Sequence, residues 1–171
     1  HAASTMKTPV MIEVFKQCEE GRFSLFDSIV VKNEFVSIVD GSSYSMNPAS
    51  DSEQQLYSRI GDKELLSTLV HKMITSSSNL ATNIVIEKVG AENATETMSE
   101  LGAKEIKVLR GVEDSKAFEK GLNNTVTAHD LMLIYEKLAL GEIVDSKASQ
   151  AMIDILLDQR INSIISSRLP D

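Results

Sequence analysis

Apolar residues recur along most of this chain at helical rather than strand spacing, and glycines fall where such runs end. The pattern predicts helices over roughly 4–20, 62–76, 79–89, 93–101, 127–140 and 146–158, with a short apolar turn at 161–166. Gly21, Gly90, Gly102 and Gly141 each follow a run directly, as a left-handed C-terminal cap requires. Thr127, with Asp130 three residues on, gives a capping-box-like start to the helix carrying Leu131, Ile134, Tyr135 and Leu138. Strand signals are few. Ile29-Val30-Val31 and Phe35 to Val39 predict a small ribbon near 28–39, and Ile106 to Leu109 one further strand. Residues 40–56 and 110–126 read as loops, and no repeat or linker divides the chain. The fold class is therefore mainly α, in a single domain over 1–171.

The first helix is unusual. At about 100° per residue, Met6, Val10, Val14, Cys18, Met11, Phe15 and Ile12 spread over roughly two thirds of its circumference. Ser4 and Lys7 fall on this apolar arc, whereas Glu13, Lys16 and Gln17 share the narrow polar one. A lysine on a buried face is pushed toward its neutral form, which makes it a usable base beside a hydroxyl. The wheel alone favours a blander reading, in which the helix start frays and Lys7 snorkels to water.

Composition narrows the class of protein. The 171 residues are 42% hydrophobic and 25% charged, with mean hydropathy −0.07, as in an ordinary globular domain. A domain of this size buries on the order of 70% of its extended-chain surface, so a core needs no disulfide or structural metal. The lone Cys18 agrees with that, and no Cys/His cluster suggests zinc or another cofactor. Net charge is −8 with dispersed basic residues, which argues against a nucleic-acid backbone or an anionic membrane as partner. No apolar run approaches the ~20 residues of a membrane span.

Candidate chemistry centres on Ser4-Thr5-Met6-Lys7. Ser-x-x-Lys alone arises by chance about once every few hundred residues, so its company decides. Downstream, Met73 to Asn83 places Ser77-Ser78-Asn79 at a helix–helix junction. A second Ser-x-Asn, Ser45-Met46-Asn47, shows that the short pattern is not sufficient. Arg110-Gly111-Val112-Glu113-Asp114, then Asn124-Thr125-Val126-Thr127-Ala128, and finally Gln150 to Pro170, follow in order. Together these stretches resemble the serine β-lactamase and penicillin-binding protein superfamily, closest to class A β-lactamases and related serine hydrolases.

The resemblance implies the helical lobe of an α/β β-lactamase/transpeptidase-like fold and a role for each matched residue. Ser4 would be the acylated nucleophile, at a helix N-terminus, and Lys7 its general base, directly or through Glu113 and a water. Ser77 would relay a proton to the leaving nitrogen, Asn79 would bind the substrate's side-chain amide, and Glu113 would orient the deacylating water. No metal or other cofactor is implied. The substrate would be a β-lactam or a peptidoglycan-like peptide, in a periplasmic or secreted setting.

This chain departs from the family pattern in three places. Ser78 stands where the second motif has Asp, and two residues rather than one separate Arg110 from Glu113, with no usual Asn in Asp114-Ser115-Lys116-Ala117. Glu113 is thus either the deacylation base or a solvated loop acid. The Lys-Thr/Ser-Gly strand and the strands upstream of the nucleophile are not in this sequence, which suggests a fragment. With half the oxyanion hole on those strands, a loss of ~100-fold or more in turnover would follow.

Alternatives remain beside a β-lactam hydrolase. One is a D-alanyl-D-alanine peptidase that turns over slowly, and another is an inactive helical binding or sensor module. Without a sheet, the apolar face of the first helix should seek a partner chain or a second copy. His71 and His129 read as surface or helix-start residues, Cys18 as core, and Met6, Met11, Met73, Met132 and Met152 as packing. Glu19, Glu20, Glu92 and Glu96 read as solvated helix faces.

Overall fold

The computed structural model describes residues 1–161, which form seven α-helices and four short strands. The helices are α1 (Lys7–Glu19), α2 (Leu66–Thr75), α3 (Asn79–Val89), α4 (Ala91–Glu100), α5 (Ser115–Glu119), α6 (Ala128–Ala139) and α7 (Ser146–Leu157). The strands are β1 (Ser28–Val30), β2 (Phe35–Val36), β3 (Ser43–Tyr44) and β4 (Lys63–Leu65). Helix α1 is the hub, packed against α2, α3, α4 and α7, while α2 lies along α3 and α6 along α7.

The broad apolar arc of α1 explains that central position. Met6, in the 3-10 turn Ala3–Met6 that leads into the helix, and Val10, Met11, Ile12 and Val14 are at most 1% exposed. At roughly 2 kcal/mol each, their burial outweighs several-fold the cost of placing one lysine among them. The neighbouring helices cover this face, so α1 does not present the surface that would call for a partner chain.

Most of its polar arc is buried as well, Lys16 alone staying half-buried, which the wheel does not predict. Glu13 and Gln17 lie under α4, where Thr97 Oγ1 donates to Glu13 Oε2, and Gln17 Nε2 donates to Glu13 Oε1 at 2.6 Å and to the Val89 carbonyl at 2.8 Å. Among the described residues no buried side-chain N or O atom lacks a partner, which makes the burial tolerable. Met132 corrects the packing reading in the opposite direction. It is 55% exposed, because Ile134 and Leu138 carry the inward face of α6, while Met6, Met11, Met73 and Met152 are buried as expected. Cys18 packs against the core, and burial, then the Asp27 charge, push its thiol pKa up.

The strand pairing also differs from expectation. No ribbon joins 29–31 to 35–39, since Lys32-Asn33-Glu34 lacks the glycine that a tight hairpin turn favours. Instead β1 pairs antiparallel with β4, and β2 with β3. The side chain of Asn33 bridges this region by accepting from Met46 N–H at 2.8 Å and donating to Met46 C=O at 2.9 Å. Residues 63–65, expected to be helical, are consumed by β4, so α2 starts at Leu66. The expected strand at 106–109 reduces to one bridge, Lys107 to Thr125, because Thr95 Oγ1 bonds both the N–H and the C=O of Val108.

Helix ends follow the chemistry read from the sequence. Gly21, Gly90, Gly102 and Gly141 all have positive φ, although Gly90 with ψ 127° leads straight into α4 rather than adopting the left-handed helical conformation. Thr127 Oγ1 accepts from Asp130 N–H at 3.1 Å, but Asp130 turns away to accept from Glu105 N–H at 2.7 Å, leaving half a capping box. His129 lies exposed at the start of α6; His71, on α2, gains a partner that spacing did not show, Asp158, at 2.6 Å. The expected 161–166 turn and the Ser167-Arg168-Leu169-Pro170 end extend beyond the described residues. Among the described residues, no helix is long and apolar enough to cross a membrane.

Candidate active site

Three segments far apart in sequence converge at the start of α1. The helix expected from residue 4 opens as the 3-10 turn Ala3–Met6, which carries Ser4 exposed and places Lys7 at the first position of α1. The second segment is the junction between α2 and α3. Ser77 occupies it with φ 54°, a left-handed conformation costly for a residue with a side chain, and Ser78 then caps α3 by accepting from Ala81 N–H at 3.2 Å. The third is the loop before α5, which presents Glu113, also left-handed at φ 61°. Strained residues of this kind persist where the surroundings hold them, and they cluster at functional sites.

The side chains form one connected chain. Ser4 Oγ and Ser77 Oγ share a hydrogen bond of 3.0 Å. Lys7 Nζ donates to Ser77 Oγ at 2.9 Å, to the Ser77 carbonyl at 2.7 Å and to Asn79 Oδ1 at 3.2 Å. Asn79 Nδ2 in turn donates to Glu113 Oε1 at 2.9 Å. All five residues singled out from the sequence therefore meet, and Glu113 is a member of the cluster rather than a solvated loop acid.

Lys7 does not snorkel. It is 3% exposed, because α1 begins inside the bundle and Nζ finds three oxygens there. Burial pulls its pKa down from 10.5 to about 8, against the opposing pull of the Asp51 and Glu113 carboxylates. At pH 7 that leaves about 10% of the group as free amine, some 300-fold more than an ordinary lysine offers. A neutral amine one hydroxyl away from Ser4 can accept a proton relayed through Ser77.

The loop carrying Glu113 is braced from both sides. Asn83 Oδ1 accepts from Val112 N–H at 2.7 Å and its Nδ2 donates to Val112 C=O at 3.0 Å. Tyr44 OH donates to the same carbonyl at 3.2 Å, and burial, then the Asp114 charge, push its pKa up to about 12. The nearly buried Arg110 donates to Leu122 C=O, Gly111 C=O and Asn123 Oδ1, closing the loop on its own exit. That exit is tied to the serine's segment by Ala2 N–H donating to Asn124 C=O at 2.8 Å. A cleft of about 390 Å³ opens between Ser4, Asn79, Val112, Glu113 and Phe118.

Sequence reasoning missed several of these supports. Asn83 was visible as the residue one helical turn beyond Asn79. Asp51, which accepts from the N–H groups of Asn79 and Leu80, lies in a stretch that reads only as polar loop. The second Ser-x-Asn is structural, with Asn47 capping a 3-10 turn through Ala49 N–H.

Known proteins share this arrangement of elements. The chain superimposes on a beta-lactamase from Sphaerobacter thermophilus with a TM-score of 0.80 at 25% identity, over 100% of this chain and 59% of that one. PBP-A gives a TM-score of 0.79 at 24% identity, over 99% and 58%. A beta lactamase from Xanthomonas campestris pv. campestris gives 0.80 at 17%, over 99% and 60%. At the lower identities the likeness is one of fold, and this chain spans about three fifths of each of these structures. No curated protein matches. The model of the beta-lactamase enzyme family matches residues 1–171, end to end, and on that match the chain belongs to the beta-lactamase enzyme family.

Proposed function

We propose that this chain is the helical lobe of a serine hydrolase, acylated at Ser4 by a β-lactam or related amide and deacylated by water. The observation that carries the reading is the hydrogen-bonded path from Ser4 Oγ through Ser77 Oγ to a buried Lys7 Nζ of lowered pKa. In the acylation step the Ser4 oxygen bonds to the amide carbon as its proton passes by way of Ser77 to neutral Lys7. The carbon–nitrogen bond then breaks, and Lys7 returns the proton through Ser77 to the leaving nitrogen. In deacylation Glu113 takes a proton from the water that attacks the Ser4 ester, and Ser4 leaves with a proton restored. Asn79 links the two halves, with its oxygen on Lys7 and its amide on Glu113.

The test is Glu113→Gln in the protein that carries this chain, followed by mass spectrometry after addition of a penicillin. A trapped penicilloyl adduct on the Ser4 peptide, with hydrolysis slowed by 100-fold or more, is the expected result. Deacylation at the parent rate sinks the role given to Glu113. A second reading, a penicillin-binding D-Ala-D-Ala peptidase with slow turnover, is favoured by the hold Asn79 has on the Glu113 carboxylate. PBP-A, of similar fold, has a mutant solved as an acyl-enzyme complex with penicillin G. That reading predicts a long-lived adduct before any mutation.

A further inference from the structure

We propose that Asp51 and Ser52 form a positioning clamp for this site: from a loop outside the three motifs they hold the Ser76–Leu80 turn and set the charge around Lys7. The inference rests on the hydrolase reading above for its consequence, but not for its geometry.

The clamp grips both sides of the strained residue. Before and at Ser77, Ser52 Oγ donates to the Ser76 carbonyl at 2.5 Å and to the Ser77 carbonyl at 3.2 Å. After it, Asp51 Oδ1 accepts from Asn79 N–H at 3.1 Å and Asp51 Oδ2 from Leu80 N–H at 2.9 Å. Ser77 itself sits at φ 54°, a conformation that a flexible turn would abandon, and the four contacts fix it from the backbone side. Its hydroxyl is thereby held against both Ser4 and Lys7.

The carboxylate is built in rather than solvated. Asp51 is 4% exposed, and Tyr57 OH donates to its Oδ2 at 3.0 Å. It lies at the N-terminal end of an eleven-residue helix, where the partial positive charge of the helix favours it. The position that normally caps the helix, Ser78, contributes only a neutral hydroxyl, so the negative charge arrives from the loop instead. Asn79 couples the two charges, with its main-chain N–H on Asp51 and its side-chain oxygen on Lys7. The carboxylates acting on Lys7 are Asp51 from this loop and Glu113 from the loop before α5. Of these, Asp51 is the one tied to the backbone of the turn.

Asp51→Asn removes the charge and, because an amide nitrogen cannot accept, one of the two backbone N–H contacts with it. The readout that a merely structural role would not move is the titration of Lys7, followed through its ¹³Cε resonance by NMR. The midpoint is expected to fall by half a pH unit or more in the variant, since the charge that stabilised the ammonium is gone. An unchanged midpoint overturns the assignment. Ser52→Ala, at an exposed position that folding tolerates, separates grip from charge. It should leave the Lys7 midpoint in place, speed amide exchange over Ser77 to Leu80 at least tenfold, and slow acylation by a fluorescent penicillin at least fivefold. Parent-like exchange in Ser52→Ala overturns the clamp. Should the parent protein take no penicillin at all, the hydrolase reading falls, and the NMR midpoints and exchange rates still decide for or against Asp51 and Ser52.

Discussion

Replacing Lys7 by Met tests the buried lysine through folding stability alone. In the folded protein Lys7 titrates near pH 8, and in the unfolded chain near 10.5. Between those values the unfolded chain holds a proton at this position that the folded chain has released. Stability therefore rises with pH at about 1.4 kcal/mol per unit, for a total of about 3 kcal/mol. Below pH 8 the full penalty is present, and above 10.5 it has vanished. Lys7→Met has no such step, and groups that titrate in both proteins cancel in the difference. At pH 7 the difference itself is not diagnostic. The substitution relieves a net penalty of about 3 kcal/mol but removes the Lys7 bonds to the Ser77 carbonyl and hydroxyl, which keep Ser52 and Ser4 as partners, and to Asn79 Oδ1, a loss of about 1–3 kcal/mol. The slope is what matters. Urea melts of both proteins at half-unit steps from pH 7 to 11 should show the parent gaining on the variant by about 3 kcal/mol. A difference that stays flat, or falls with pH, refutes the argument that Lys7 is buried and carries a depressed pKa.

Other perturbations probe the supports of the site. A methyl at Gly111 would come within 2.5 Å of Asn83 Oδ1, so Gly111→Ala must displace the amide that braces Val112, at about 1–3 kcal/mol, read as a drop in melting temperature. Arg110→Met leaves Leu122 C=O, Gly111 C=O and Asn123 Oδ1 without their donor, and limited proteolysis between residues 110 and 124 should speed up about tenfold. Thr127→Ala removes the cap on α6 and should lower stability by about 1 kcal/mol in urea, with acylation unchanged.

How much of this was legible in the sequence depends on where each interaction's information lies. Ser4 and Lys7 lie one turn apart, so local spacing already places them on a common face, and Ser77 and Asn79 belong to one short motif at a helix–helix junction. Helix ends marked by Gly21, Gly102 and Gly141 are equally local, because positive φ belongs to the residue itself. Glu113 was half legible. Its place on a loop after Arg110 could be read, but its approach to Asn79 depends on Asn83 and Tyr44 holding Val112 from other elements. The burial of Glu13 and Gln17 was illegible, since a wheel shows which residues share a face but not that α4 brings Thr97 to meet them. The β1–β4 pairing was hidden for the same reason.

The two least legible residues, Asp51 and Ser52, bear on the most strained part of the site, and the two facts are connected. A turn that must hold Ser77 in the left-handed region while its hydroxyl serves Ser4 and Lys7 cannot be stabilised by its own sequence. Glycine, which would relax φ, has no hydroxyl. The constraint has to come from outside, through groups that bond the backbone and leave the side chain free. A buried carboxylate on two N–H groups and a hydroxyl on two carbonyls meet that need. Such groups can come from any loop that passes close enough, so no fixed spacing from the motif marks them. The same reasoning applies to Glu113, held at φ 61° through Val112 by Asn83, a residue on a different element again.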